Sequence, residues 1–288
     1  MKLNRIAAGI VLYNPNIDRL NENINRIYNQ VDEIIVVDNK SDNISTVEKI
    51  LRNRSKIIVI KNEENMGIAR ALNQIMEYSY NNNFTWVLSL DQDSVCEREL
   101  IEQYRRYLSD SKIGMLSCHI NDRNFDFEKN NQDEISIDQI EEIDFCITSG
   151  SLLRTEAWLD VGGYDEKLFI DKVDTDICWT LIEHGWKVVR IPYYGLLHEI
   201  GNKTKRVKFF NREVIIYNHS PIRNYYIVRN GLYCAEKHKK FRNTDGMRKS
   251  SYHRILLCLI FENRKIEKVL AGIRGLRDGK QMIREERF

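Results

Sequence analysis

Phe84-Thr85-Trp86-Val87-Leu88-Ser89-Leu90 runs without a break into Asp91-Gln92-Asp93-Ser94. The first seven residues read as a buried strand, short and dominated by aliphatic and aromatic side chains. Two carboxylates one residue apart follow at once. Parallel α/β sheets bind ligands beyond the carboxyl ends of their strands. Alternate residues of an extended segment point the same way, so Asp91 and Asp93 can converge on one ligand. Hard oxygen donors of this kind suit Mg²⁺ or Mn²⁺, held by one or two carboxylates with substrate phosphates completing the shell. The same pair also serves as an ordinary solvated turn, so its surroundings must decide.

Working outward, short apolar runs alternate with helical patterns. Ile6–Tyr13, Glu33–Val37, Lys56–Ile60 and Ile113–Cys118 read as strands. Asn16–Asn29 reads as a helix with Ile17, Leu20, Ile24 and Ile27 on one face, and Ile68, Leu72, Ile75 and Met76 mark another. Strands alternating with helices imply βαβ units and a mainly parallel sheet, an α/β fold. The opening stretch MKLNRIAAGIVLYNP reads as the first strand rather than a leader, because it passes directly into charged, periodic sequence. Asn121–Glu134 is polar and aperiodic and is expected to be a mobile loop. Ile140–Thr148 reads as a strand, Asp174–Gly185 as a helix, and Lys187–Ile191 as a strand closed by Pro192. Beyond Ser220 three helices are expected: Ile222–Lys239, Lys249–Phe261 and Lys265–Lys280. The expected organisation is an α/β domain over 1–215 and a helical appendage over 216–288.

Composition excludes several classes. The 288 residues carry a net charge of +2, which argues against a wholesale nucleic-acid binder. The longest apolar run, Ile255–Phe261, is far short of the ~20 residues that cross a bilayer. Six cysteines show no CxxC spacing and read as buried thiols in a reducing cytoplasm. Charge is unevenly spread: 15 Lys/Arg stand against 6 Asp/Glu from Lys237 onward, but 29 against 36 before it. In the last helix Ile266, Val269, Leu270, Ile273 and Leu276 share a face with lysines and arginines interspersed. Such a stripe suits peripheral contact with an anionic membrane, packing on the α/β body, or a homodimer interface.

Four further segments carry polar groups suited to chemistry. Asp38 ends a strand in Val36-Val37-Asp38-Asn39-Lys40-Ser41, where a carboxylate accepts from a base N–H or ribose hydroxyl, or else caps an Asx turn. Asn65-Met66-Gly67 opens a helix whose free N–H groups suit a diphosphate, or makes a plain loop-to-helix junction. Gly162-Gly163-Tyr164-Asp165-Glu166 precedes Asp171, Asp174 and Asp176 at a helix start, a place for a general base or for simple N-terminal acids. His198, in Leu196-Leu197-His198, is followed by Lys203, Lys205, Arg206 and Lys208, a basic loop; the histidine suits a metal or phosphate, or a packed core position. Neither GxGxxG nor GxxxxGK[ST] occurs.

The order of these segments resembles the family 2 inverting glycosyltransferases of the GT-A fold. A strand ends in Tyr-Asn-Pro and the next in Asp38. The Asn-x-Gly loop, the DxD, Gly-Gly-Tyr-Asp, the acidic helix start and Leu-x-His follow. The resemblance covers roughly residues 6–201. Asp91-Gln92-Asp93-Ser94, Thr148-Ser149-Gly150-Ser151 and the later Arg223-Asn224-Tyr225-Tyr226-Ile227-Val228-Arg229-Asn230 look most like bacterial rhamnosyltransferases, which use dTDP-L-rhamnose. The resemblance implies that Tyr13, Pro15 and Asp38 frame the nucleotide base, with Asn65 and Gly67 along the nucleotide loop. It implies Asp93 as metal ligand, Asp91 near ribose and sugar, and His198 facing metal or diphosphate. Ser149, Gly150 and Ser151 would border the acceptor pocket, and Asp174 falls at the catalytic-base position. One departure stands out: where the family usually has Glu before this Asp, the chain has Val173.

The implied activity is inverting, metal-dependent transfer of a sugar, with L-rhamnose favoured, from a nucleoside diphosphate to a glycan or lipid-linked glycan. The implied setting is the cytoplasm or the inner face of the cell membrane. A sugar-1-phosphate nucleotidyltransferase is the competing reading, but Tyr13-Asn14-Pro15-Asn16 lacks the Gly-rich basic loop such enzymes need. A non-catalytic sugar-nucleotide-binding partner is a third.

Overall fold

The computed structural model describes residues 4–122, 139–198, 205–209 and 212–286, with the side chains of 122, 198 and 205–215 outside that description. The chain begins β1 (Ile6–Leu12), α1 (Ile17–Ile27), β2 (Glu33–Asp38), α2 (Ile44–Leu51), β3 (Ile57–Lys61), α3 (Ile68–Asn81) and β4 (Trp86–Asp91). There follow β5 (Val95–Cys96), α4 (Leu100–Arg105), β6 (Ile113–Asp122), β7 (Glu141–Glu142), β8 (Leu152–Arg154) and α5 (Thr155–Asp160). The last part holds α6 (Val173–Glu183), β9 (Lys187–His198), β10 (Lys205–Phe209), β11 (Arg212–Ile216), α7 (Pro221–Lys237), α8 (Asp245–Phe261) and α9 (Lys265–Glu285). Two compact units result: residues 1–166 with 177–200, and 167–176 with 201–288.

The first unit is built on a sheet in the order β3-β2-β1-β4-β8-β6-β9-β5, with β7 also on β9. β3, β2, β1 and β4 are mutually parallel. β8 runs antiparallel to both β4 and β6, and β6 pairs parallel with β9. β1, β2 and β4 are buried on both faces, which explains why they read as continuous apolar runs rather than alternating ones; β3, at the edge, is half-buried. Leu12 is in register with Asp38, and Val11 with Asp91. β2 and β4 therefore end together on either side of β1. Two strand spacings of ~4.8 Å set the ends carrying Asp38 and Asp91 roughly 10 Å apart.

Several local expectations change. Pro192 does not close its strand: β9 continues to His198 through an irregularity where Ser117 pairs Arg190 and His119 pairs Tyr194. A proline without an N–H is tolerated where the ladder is already interrupted. The strand expected over Ile140–Thr148 shrinks to β7. Beyond it Cys146 is buried 3.8 Å from the Cys178 sulfur, and Ser151 Oγ donates to Thr148 O at 2.7 Å to make a turn. Of the apolar residues in this stretch Cys146 is buried, Ile143 and Ile147 are half-buried, and Ile140 and Phe145 are exposed. The basic loop beginning at Lys203 enters an antiparallel hairpin, β10–β11, from Lys205 onward. The loop expected at Asn121–Glu134 contributes Asn121 and Asp122 to β6, and the rest lies outside the described residues. All six cysteines are buried thiols outside any disulfide.

In the second unit α9 lies backbone-close to α7. A Cβ on Gly275 would stand 2.6 Å from Tyr225 O, and one on Gly279 3.0 Å from Arg229 O. Lys268, Ala271, Gly272, Gly275 and Gly279 form the buried side of α9. Of the apolar stripe on this helix, Ile266, Leu270 and Ile273 are exposed, and Val269 and Leu276 are half-buried.

Candidate active site

The carboxyl ends of β1, β2 and β4 collect the polar residues of the first unit. Asp38 closes β2 and is 2% exposed, its two carboxylate oxygens accepting Ser41 N–H at 3.3 and 3.1 Å. Ser41 Oγ accepts Asn14 N–H at 2.8 Å, and Asn43 Nδ2 donates to Pro15 O at 2.8 Å. These bonds tie the Tyr13-Asn14-Pro15 turn to the loop after Asp38. Asn39, also buried, donates from Nδ2 to Gly67 O at 3.1 Å and accepts from Asn62 Nδ2 at 2.8 Å. Asn65 Oδ1 accepts Gly67 N–H at 3.0 Å. Gly67 has φ +82° where it precedes α3, a conformation open to glycine at little cost. Asp38, Asn65 and Gly67 thus belong to one hydrogen-bonded rim, with Asn39 as its link.

The DxD turn is fixed from three sides. Asp91 N–H donates to Ser149 Oγ at 3.0 Å, and Ser149 Oγ in turn donates to Ser94 Oγ at 2.9 Å. Asn23 Nδ2 donates to Asp91 O at 2.7 Å. Gln92 Oε1 accepts Tyr13 N–H at 2.9 Å, leaving the Tyr13 ring half exposed beside the turn. Gly150 N–H donates to Ser89 O at 2.7 Å, Ser89 N–H to Ser151 O at 2.9 Å, and Tyr104 Oη to Gly150 O at 2.6 Å. Ser149, Gly150 and Ser151 are buried, and both hydroxyls are engaged within the fold. A cleft of about 130 Å³ beside them is lined by Ser117, Cys118, Phe145, Cys146, Ser149 and Arg190.

Asp91 and Asp93 are both exposed at the strand end, and Asp93 makes no ion pair with a described residue. No group of three or more His, Cys, Asp or Glu side chains suited to a metal occurs among the described residues. The two acids fit a hard divalent cation that takes few protein ligands and relies on phosphate oxygens and water for the remainder. The side chain of His198 lies outside the described residues, so only its place at the end of β9 is given.

Asn73 joins the helix after Gly67 to the Gly-Gly-Tyr segment. Its Oδ1 accepts Trp158 Nε1–H at 3.0 Å and Tyr164 N–H at 2.9 Å, while Nδ2 donates to Tyr164 O and Glu166 Oε1, each at 2.9 Å. The two motifs that the sequence presents separately are therefore one structural feature.

The second unit holds Asp174 in the first turn of α6. Burial raises its carboxyl above the ordinary aspartate range, against the lowering effects of the Thr175 N–H at 2.9 Å and of Lys172. The turn before it is strained: Asp171 and Lys172 both have positive φ, at 66° and 71°. α7 holds that turn. Asn230 Nδ2 donates to Ile170 O at 2.7 Å and Asp171 O at 3.1 Å, and Arg223 pairs with Asp171 at 3.3 Å. Asp176 is buried and paired at 2.9 Å with both Lys237 and His238. Val173, standing where the resemblance leads one to expect Glu, is buried. Asn39, Asn73, Gln92 and Asn230 carry this scaffolding and escaped the sequence reading. Their only signal is an amide next to a motif residue or within a helical pattern.

The chain matches the Glycosyl transferase family 2 profile over residues 8–162. It is 30% identical over 243 residues to the dTDP-rhamnosyl transferase RfbF of Shigella flexneri, covering 81% of this chain and 80% of that protein. Among solved structures it resembles S. aureus TarS, with TM-score 0.61 and 14% identity over 96% of this chain. It also resembles GalNAc-T7 with UDP, GalNAc and Mn²⁺, with TM-score 0.59 and 12% identity over 88% of this chain. The chain spans 49% and 55% of those two proteins, and at that identity they speak for the GT-A fold alone. With strand ends, DxD turn and helix start arranged as described, and the profile running from β1 past the Ser149–Ser151 turn, the chain belongs to glycosyl transferase family 2.

Proposed function

We propose that this glycosyltransferase moves L-rhamnose from dTDP-L-rhamnose to a hydroxyl of a growing bacterial surface polysaccharide, with inversion at the anomeric carbon. The observation that carries the donor is the identity to a dTDP-rhamnosyl transferase over four fifths of both chains. Asp38, buried at the end of β2, accepts the N3–H of the pyrimidine, with Tyr13 and Pro15 framing the ring. Asn65 and Gly67 border the nucleotide, and Asp91 lies toward ribose and sugar. Asp93, with His198 as second candidate, would hold a divalent ion; when bound, Mg²⁺ or Mn²⁺ neutralises charge on the leaving diphosphate. Asp174 takes the proton of the acceptor hydroxyl, whose oxygen attacks opposite the departing dTDP. Its raised pKa brings its proton affinity nearer to working pH, as a general base requires. Ser149, Gly150 and Ser151 shape the acceptor side through a turn that the Ser149 and Ser151 hydroxyls help to hold.

Release of nucleoside diphosphate from dTDP-L-rhamnose, UDP-glucose and UDP-N-acetylglucosamine in the presence of Mn²⁺ tests the donor. Faster release of dTDP is expected. Preferential turnover of a UDP-sugar removes the rhamnosyl assignment, and pyrophosphate as product points to nucleotidyl transfer.

A further inference from the structure

α8 and α9 are built inside out. α9 buries Ala271, Gly272, Gly275 and Gly279 and exposes Ile266, Leu270 and Ile273 by 76%, 54% and 51%. α8 buries Ser251, Arg254 and Cys258 and exposes Leu256 and Leu259 by 52% and 53%. Between the helices lies a buried ion cluster in which Glu262 accepts from Arg254 at 2.5 Å and from Lys268 at 2.8 Å. An amphipathic helix of a globular domain ordinarily does the reverse. Contiguous large apolar residues left outside mark a contact surface.

The charges around this face say what it meets. From Ile273 the exposed stripe of α9 continues, at steps of four, three and four, as Arg277, Lys280 and Arg284. Arg274, Lys280 and Arg284 make no ion pair with a described residue, whereas Glu267 is paired by Arg264 and Asp278 by Arg277. Arg277 is thereby engaged, and the exposed Glu285 makes no ion pair with a described residue, so three unpaired cations stand against one unpaired acid. A second copy of the chain would bring two such cationic stripes together. An anionic surface with an apolar layer beneath it complements both features. No helix among the described residues is long and apolar enough to cross a membrane. We propose that the outer face of α8 and α9 docks on an anionic membrane, with Leu256, Leu259, Ile266, Leu270 and Ile273 at the headgroup boundary.

Sedimentation of the full chain with vesicles tests this. The protein should pellet with phosphatidylglycerol-rich vesicles at low salt, stay in solution with phosphatidylcholine alone, and be released by high salt. Leu270→Asp with Ile273→Asp should lower partitioning by roughly tenfold or more, and Lys280→Glu with Arg284→Glu by a similar factor at low salt. Melting temperature and dTDP release report folding in each variant; should the aspartates impair it, Leu270→Gln with Ile273→Gln replaces them. Failure of the wild type to bind anionic vesicles overturns the proposal, as do folded variants that bind like wild type. A dimer that Leu270→Asp with Ile273→Asp dissociates, without vesicle binding, assigns the face to a second copy instead.

Discussion

Ser149 Oγ accepts the backbone N–H of Asp91 at 3.0 Å and donates its own O–H to Ser94 Oγ at 2.9 Å. One hydroxyl therefore spans the DxD turn and orders the direction of its hydrogen bonds. Ser149→Ala leaves the Asp91 N–H without that acceptor. A buried donor without its partner costs about 1–3 kcal/mol. Denaturant unfolding should show a loss in that range, and the KM for the sugar nucleotide should rise. Unchanged stability and KM would mean the turn holds itself.

Asp93→Asn should remove metal-dependent donor binding while leaving the fold intact, since the side chain is exposed and makes no ion pair with a described residue. A neutral amide is a much poorer ligand for a hard cation. Calorimetry with dTDP in Mn²⁺ and in EDTA provides the measurement. The wild type should lose affinity on chelation, and the variant should be weak in both. Matching affinities in all four conditions would refute metal binding by Asp93.

Asp38→Ala removes a carboxylate that caps its own turn through Ser41 N–H and that the proposed function assigns to the base. Loss of dTDP affinity by about 1–3 kcal/mol is expected. Comparison with dTDP methylated at N3 separates the two roles. If the carboxylate reads N3–H, wild type should discriminate between the two nucleotides and the variant should not.

Gly275→Ala would set a Cβ against Tyr225 O, within 2.6 Å, and close to Val228 Cβ as well. A backbone oxygen in a packed helix cannot step aside, so α9 must shift from α7. Overpacking of this kind costs about 1–3 kcal/mol. The thermal midpoint should fall, whereas Leu270→Ala on the exposed side of the same helix should barely move it.

The parallel half of the sheet was legible because β1, β2 and β4 are buried on both faces and contain little but aliphatic residues. Asp38 and Asp91 were legible for a related reason: each is the first acid after such a run. The sequence ends β9 at Pro192, yet the strand runs on, because proline breaks a strand only where its missing N–H is needed, and there the ladder is already irregular. α9 was half legible. Its period was plain, but periodicity does not say which side is inside, and there the glycines decided, through their close approach to α7. The amide scaffolding of Asn39, Asn73 and Asn230 had no pattern to betray it, since each acts on a segment distant in sequence.

Asp174→Asn should abolish most transfer while preserving donor binding. General-base assistance is worth ~10²–10⁴-fold, and kcat should fall by that factor. The pH profile carries a second signature. Burial raises the Asp174 pKa, so the acidic limb of kcat/KM in the wild type should lie above the ordinary aspartate value and be missing from the residual activity of the variant. The stability effect has the opposite sign. A carboxyl whose folded pKa lies above its unfolded value favours the fold when protonated, and that advantage is lost as pH rises through the folded pKa. At neutral pH the wild type therefore bears the cost of a buried charge that an amide does not. Asp174→Asn should be at least as stable as wild type there, because the amide oxygen still accepts Thr175 N–H. An inactive variant with an undiminished melting temperature places the defect in proton transfer. Near-normal turnover would move the base to Asp171 or Asp176. Of these, Asp176 is already committed to Lys237 and His238, so Asp171 would be the residue to replace next.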